Sequence, residues 1–151
     1  MRLEITRRAD LAVRAMGILG QADGRWKSSA LAGALDTTAG FVPQVLNPLV
    51  KAGWVASDPG PSGGYRLVAS LAELSVLDVV EAIDGPTDNG RCVVADQACD
   101  GQAPCVLHAA WSRARGELVD ALGALTLAQV QVDPSPQPRR KIQLAVIPEV
   151  K

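Results

Sequence analysis

The residues best suited to bind a metal lie in one short stretch, residues 91–111. They are the three cysteines of the chain, Cys92, Cys99 and Cys105, and its only histidine, His108. Their spacing is C-x6-C-x5-C-x2-H, and a glycine and a proline interrupt the stretch before a strand or helix could form. Thiolates favour zinc, copper(I) and iron–sulfur clusters. We interpret residues 86–105 as a cluster-binding loop.

Other uses of the same side chains remain open. An odd number of cysteines disfavours a disulfide framework. Three cysteines and one histidine would also complete a closed tetrahedral zinc site, or the thiols could stay free of metal and be redox-active. In an enzyme, Cys105 would be the nucleophile and His108 its base. Because the sequence shows neither a third orienting group nor an evident substrate pocket, we predict that the protein is not an enzyme.

Size and composition favour one globular domain. The chain has 151 residues, of which 48% are hydrophobic, and this is enough for a packed core, with room for an appended helix. No segment approaches the roughly 18 apolar residues of a membrane span, and charges interrupt the apolar N-terminal stretch, which argues against a signal peptide. We therefore expect a cytoplasmic protein, a setting in which thiols stay reduced or bind metal.

The net charge of −1 is distributed unevenly. Residues 1–70 contain eight basic and five acidic side chains, residues 71–133 contain three and ten, and residues 134–151 contain four and one. Contact with phosphate is therefore expected in the N-terminal part. Aromatic residues make up only 3% of the chain, which disfavours single-strand or RNA binding by base stacking.

Three helices are predicted in the first 52 residues. They cover residues 6–21, with Thr6 as cap, residues 29–36, with a serine cap, and about residues 39–52. Pro48 is expected to kink the third helix near residue 44. A helix–turn–helix whose second helix exposes Gln44, Asn47 and Lys51 is typical of proteins that read the DNA major groove.

A β-hairpin is predicted next, from two alternating segments, residues 54–58 and 64–68, around a Gly/Pro-rich tip. A hairpin directly after a reading helix is a wing, whose glycines allow close approach to phosphate. The alternative for these residues is an ordinary turn and an exposed polar surface. The predicted DNA-contacting residues are Thr37, Thr38, Gln44, Asn47, Lys51, Ser62, Gly63, Gly64, Tyr65 and Arg66.

Two further helices are predicted, at residues 75–84 and in the segment 106–130. The second carries an apolar seam for pairing with another helix, formed by Leu107, Trp111, Ala114, Leu118, Ala121 and Leu125. The predicted fold is mainly α with a small β-hairpin: a winged helix–turn–helix domain (residues 1–85), the cysteine loop (86–105), a dimerisation helix (106–130) and a flexible tail (131–151).

Several segments of the chain resemble the Rrf2-type bacterial regulators, a family that includes iron–sulfur cluster, nitric-oxide and iron regulators. They are MRLEITRRADLAVRAM at the start, LNPLVKAGWV in the third helix, GPSGGYRL in the wing and LSVLDVVEAIDGP before the loop. The segment CVLHAAW is similar to the one that follows the third cysteine in the iron–sulfur cluster regulator. The resemblance covers roughly residues 1–130.

The resemblance implies a homodimeric DNA-binding transcriptional regulator. Its operator affinity would depend on a [2Fe–2S] or [4Fe–4S] cluster that senses nitric oxide, iron supply or redox state. Cys92, Cys99 and Cys105 match the family's cluster ligands, although the gap of six residues between the first two is commonly five in the family. The remaining alternative is a zinc-stabilised or cluster-free thiol-based winged-helix regulator.

The resemblance offers two candidates for the fourth ligand. His108 matches the histidine ligand of the iron–sulfur cluster regulator. Asp10 matches an aspartate that the other subunit contributes in some nitric-oxide-sensing members. Without a ligand role, His108 would be a helix N-terminal residue bonded to backbone, and Asp10 would pair with Arg7 or Arg14.

Overall fold

The computed structural model describes residues 4–21, 24–94, 97–98, 104–132 and 143–144. In chain order, the elements are α1 (Arg7–Gly20), α2 (Ser28–Ala34), α3 (Val42–Lys51), β1 (Val55–Asp58), β2 (Gly64–Leu67), α4 (Val76–Asp84), α5 (His108–Ala124), a 3-10 turn (Leu127–Gln129), β3 (Val130–Gln131) and β4 (Gln143–Leu144). The predicted mainly α fold with a wing hairpin is confirmed. None of the described helices is long and apolar enough to cross a membrane.

Helix α1 lies at the centre of the hydrophobic core. Its predicted cap is confirmed, because the Oγ1 atom of Thr6 accepts a hydrogen bond of 3.1 Å from the amide of Ala9. Nine of its fourteen residues are buried, well beyond one amphipathic stripe. It packs against α3, α4, β2 and the 3-10 turn. The other elements are therefore positioned relative to α1.

The first turn of α1 is bonded to the C-terminal end of α4. The hydroxyl of Thr6 donates to the carboxylate of Asp84 at 2.9 Å, and Arg8 donates to the carbonyl of Ile83. The cysteine loop follows α4 directly, so these bonds fix the point from which the loop departs.

The same turn also contacts the helix–turn–helix. The guanidinium of Arg7 donates to the carbonyl of Asp36 at 3.2 Å, in the connection between α2 and α3. Asp36 has a φ of 51°, in the left-handed region that a short polar side chain tolerates best after glycine. Helix α1 thus holds the sharp turn that precedes α3.

Helices α2 and α3 differ in detail from the prediction. Helix α2 begins at Ser28 after Lys27, and no side chain caps it. Helix α3 begins at Val42 rather than near residue 39, because residues 38–41 form a separate turn. It continues as one helix through Pro48, and residue 44, where a kink was predicted, lies in its first turn. Gln44 is exposed, so water can solvate the carbonyl that Pro48 leaves unbonded.

An additional backbone pairing holds strand β2 of the wing near the hairpin tip. Strands β1 and β2 are antiparallel, with Val55 opposite Leu67. Trp26 pairs with Tyr65 through two backbone hydrogen bonds of 2.8 and 2.9 Å. This pairing requires Gly64, because its φ is 152° and an added Cβ atom would lie 2.5 Å from the carbonyl oxygen of Trp26.

Helix α5 is anchored at its C-terminal end. Ser75 begins α4 with a capping box, and the next residue, Val76, donates its amide to the carbonyl of Leu125 at 2.9 Å. Leu122 and Leu125 pack against the core, yet no residue of α5 itself is buried in the single chain. The helix therefore leaves much of its length in contact with solvent.

The chain after α5 returns to α1. Leu127 and Val130 are buried in the core, and Val132 packs against Gly17. The side chain of Gln21 donates to the Val132 carbonyl at 2.7 Å. Within residues 131–151, predicted as a flexible tail, Gln131 pairs with Gln143 across β3 and β4. Residues 133–142 and 145–151 lie outside the described residues.

Substitution of Gly64 tests the docking of the wing. We expect Gly64→Ala to lower the melting temperature by several degrees, since a positive φ combined with a backbone clash costs more than about 1 kcal/mol. The measurement is thermal unfolding followed by circular dichroism. Ser62→Ala, at an exposed position of the same hairpin, is the control. Equal melting temperatures for Gly64→Ala and the control would contradict this account.

Candidate metal centre and nucleic-acid interface

Two of the three predicted cysteine ligands lie next to each other. The Sγ atoms of Cys92 and Cys105 are 3.9 Å apart, and both residues are half-buried. Two thiolate sulfurs bound tetrahedrally to one metal at about 2.3 Å would be separated by about 3.8 Å. The observed distance therefore fits two sulfur ligands on a single metal atom. Cys99 lies outside the described residues.

Short polar bonds shape the loop that carries Cys92. The carboxylate of Asp88 accepts from the amide of Gly90 at 3.0 Å, and the side chain of Asn89 accepts from the amide of Arg91 at 3.1 Å. The amide of Cys92 donates to the carbonyl of Gln97 at 2.9 Å. Such Asx-type turns replace the apolar packing that the loop sequence lacks.

His108 lies at the same site as the two thiols. It is the first residue of α5, and its amide donates to the Cys105 carbonyl at 3.0 Å. Together with Cys92, Cys105 and Trp111, it lines a cavity of about 110 Å³. Within the described part of the chain, no group of three or more His, Cys, Asp or Glu side chains is close enough to hold a metal ion. The structure thus places three predicted ligands around one cavity without a completed coordination shell.

Three charged residues that line this cavity, Asp88, Arg91 and Arg115, were not predicted as site residues from the sequence. Arg115 donates from Nη1 to Oδ1 of Asp88 at 2.5 Å, and both residues line the cavity. The hydrogen bond from the Gly90 amide lowers the pKa of Asp88, and the Arg115 guanidinium lowers it further. The sequence signal that could have identified Arg115 is helical spacing. Arg115 lies seven residues after His108 and therefore near the same face of α5.

Asp10 is placed differently from the cysteines. It lies on α1, half-buried, and is not among the described residues that line the cavity. Burial raises the pKa of Asp10, and the charges of Arg14 and Arg7 partly oppose this increase. The carboxylate therefore occupies a position that disfavours its charged form.

The predicted DNA-contacting residues separate into exposed and buried groups. On α3, Gln44, Asn47 and Lys51 are exposed, whereas the opposite face is buried. Thr38, Ser62 and Arg66 are exposed as well, while Thr37, Gly63 and Gly64 are half-buried. Tyr65 is only 7% exposed and belongs to the core, where its backbone pairs with Trp26. The side chain of Tyr65 therefore offers little surface for a DNA contact.

Similar proteins are regulators of transcription. Over 93 residues, the chain is 34% identical to the HTH-type transcriptional regulator IscR of Vibrio vulnificus (strain YJ016), which covers 62% of this chain and 55% of that protein. The chain thus spans about half the length of this relative. A Neisseria meningitidis protein, NMA1593, is 30% identical over 129 residues, covering 85% of this chain and 82% of its own length.

Solved structures share the fold. CymR, the global cysteine regulator of B. subtilis, has a TM-score of 0.68 at 22% identity, covering 84% of this chain and 95% of that one. T. potens IscR has a TM-score of 0.65 at 23% identity, covering 83% and 84%. Residues 5–133 match the Rrf2 family model, described as iron-dependent transcriptional regulator. The chain belongs to the Rrf2 family of transcriptional regulators.

Proposed function

We propose that the protein is a dimeric DNA-binding regulator whose operator affinity depends on an iron–sulfur cluster held by Cys92, Cys99 and Cys105. The observation that carries this proposal is the grouping of Cys92, Cys105 and His108 around one cavity at the start of α5. Membership of a family described as iron-dependent supports iron over other soft metals. His108 is the favoured fourth ligand, since it already lines the cavity.

DNA reading is assigned to α3 and the wing. Gln44, Asn47 and Lys51 share the exposed face of α3, while Val45, Leu46 and Leu49 on the opposite side are fully buried. A glutamine at such a position suits adenine through two hydrogen bonds, and Lys51 suits a phosphate. Arg66, exposed on β2, would contact the DNA backbone beside the groove.

Dimerisation is assigned to the solvent-facing side of α5. Val106, Leu107 and Leu118 are large apolar residues that are 95%, 48% and 39% exposed. Ala114 and Ala121 are exposed at the helical spacing that continues this surface. Trp111 and Leu125, predicted for the same seam, are half-buried, and Leu125 packs on its own core. The proposed dimerisation surface therefore includes fewer residues than the apolar pattern in the sequence predicted.

A bonded route connects the loop with the reading helix. The loop departs from the end of α4, which is bonded to Thr6 and Arg8 of α1, while Arg7 is bonded to the turn before α3. A cluster, when bound, would supply a centre that responds to oxidants or nitric oxide. A coupling of about 1–3 kcal/mol along this route would change operator affinity roughly 5- to 150-fold.

Removal of one thiol tests the cluster and its role together. After oxygen-free purification, we expect the wild-type protein to be brown and to contain iron and labile sulfide, and Cys92→Ala to lose both. Operator affinity of Cys92→Ala should differ at least about fivefold from that of the wild type, measured on a duplex that the wild-type protein selects from a random pool. Unfolding curves of the two proteins should coincide when both are free of metal.

Other results of the metal analysis would indicate a different kind of regulator. A colourless wild-type protein containing zinc would indicate a zinc-stabilised regulator, because zinc has no visible absorption. A protein without any metal, whose operator affinity responds to peroxide, would indicate a thiol-based regulator. Either result would overturn the cluster assignment and leave the family assignment intact.

A charge placed in the exposed seam tests dimerisation. We expect Leu118→Asp to raise the dimer dissociation constant at least about 100-fold, because a two-fold interface would then enclose two charged carboxylates in place of two leucine side chains. Light scattering coupled to size exclusion measures the change. Val68→Asp, which alters an exposed apolar residue beside β2, is the control. An unchanged dimer in Leu118→Asp would place the interface elsewhere.

The raised pKa of Asp10 predicts a pH-dependent cost in stability. At neutral pH the folded protein carries a charged, half-buried carboxylate, and this lowers its stability. The cost decreases as the pH falls through the raised pKa and vanishes below the ordinary aspartate pKa, where the carboxyl is neutral in both the folded and the unfolded state. In metal-free protein, we expect Asp10→Asn to raise the melting temperature by roughly a few degrees at pH 7. The gain should shrink as the pH falls toward about 4.

Calorimetry at both pH values measures this difference. Asp120→Asn, at an exposed position of α5, is the control and should show no such trend. A lower melting temperature of Asp10→Asn at pH 7 would show that the carboxylate stabilises the fold through Arg7 and Arg14 instead.

A further inference from the structure

Arg115 is the most buried charged group at the cysteine cavity. Its side chain is 19% exposed, and it lines the cavity together with Cys92, Cys105 and His108. Arginine stays protonated under all ordinary conditions, so a permanent positive charge lies beside the thiols. Arg113, two residues earlier on the same helix, is exposed to solvent, so partial burial is not common to both arginines of α5.

The partner of Arg115 ties the loop to α5. Arg115 is bonded at 2.5 Å to Asp88, whose carboxylate also accepts the amide of Gly90 in the turn before Cys92. The loop is thereby attached to the helix that presents His108, through a contact that uses none of the thiols. Asp88 itself is 65% exposed, so water solvates its side of the pair.

A metal bound by the three cysteines would leave the site negatively charged, and a positive side chain next to the site would stabilise it. When three neutral thiols release their protons and bind Zn²⁺, the site changes from neutral to a net charge of −1. Thiolate-ligated iron–sulfur sites are likewise negative. A positive charge in a partly buried setting stabilises such a site more than one in water would, and groups outside the coordination shell commonly change metal affinity 10- to 100-fold.

We propose that Arg115 is a positioning residue of the cysteine site, which holds the loop to α5 through Asp88 and balances the negative charge of the bound centre. This inference rests on the proposed metal-binding function of the loop. Asp88 has the opposite effect on the electrostatic potential at the site, because its carboxylate is negative. It also orients the guanidinium of Arg115.

The opposite charges of the pair provide the test. In the cluster-loaded protein, we expect Arg115→Gln to shift the reduction potential to more negative values, because loss of a positive charge disfavours the added electron. Asp88→Asn should shift it to more positive values, and Arg115→Lys should stay close to the wild type. Arg113→Gln is the matched control and should leave the potential unchanged.

A second measurement does not require a cluster. Zinc affinity of the metal-free protein, measured by competition with a chromophoric chelator, should fall about 10- to 100-fold in Arg115→Gln and should be largely retained in Arg115→Lys. If wild-type protein holds no iron or sulfide, the cluster proposal fails while this measurement still decides the role of Arg115. Potentials that shift in the same direction in Arg115→Gln and Asp88→Asn, or zinc affinities equal to that of Arg113→Gln, would overturn the inference.

Discussion

Burial of α1 on nearly all sides is the constraint on which the remaining structure depends. Its large side chains, Leu11, Met16, Ile18 and Leu19, are at most 2% exposed, and each such burial contributes about 1.5–3 kcal/mol. A helix enclosed in this way cannot rotate without disrupting several interfaces at once. The elements that contact its first turn, the end of α4 and the turn before α3, therefore have a common rigid reference.

The cysteine loop is shaped by polar bonds rather than by hydrophobic burial. It contributes no residue to the hydrophobic core among those described, and Val93 and Val94 are 39% and 62% exposed. Its shape depends on side-chain-to-backbone bonds and on the Asp88–Arg115 pair. The proposed metal would add stability to such a segment, because bound ligands restrict the chain. In the proposed function, metal binding and ordering of the loop would therefore be coupled in one equilibrium.

Much of the fold could be predicted from sequence because the relevant signals are local. Thr6 and Ser75 cap their helices as their sequence context indicates, and the Gly-rich tip between two alternating segments forms the wing. Cys92, Cys105 and His108, selected from the sequence, line one cavity. Local rules failed where packing decides: a helix with Val45, Leu46 and Leu49 fully buried tolerates Pro48, and Trp26, distant in sequence, places Tyr65 inside the core. The Asp88–Arg115 pair joins positions 27 residues apart, which no local pattern reveals.

The residues that follow α5 pack against α1 again. This contact changes where the chain can be divided into folding units. Leu127, Val130 and Val132 cover the C-terminal half of α1, and backbone bonds join Leu74 and Val76 to the residues that follow α5. Residues 86–124 are consequently an excursion inserted into one folding unit, and a fragment that stops at residue 85 would expose part of its own interior. Exchange of this segment between related regulators, spliced after the C-terminal end of α4 and before Leu125, which is bonded to the N-terminal end of α4, would replace the proposed ligand residues and leave the packing around α1 in place.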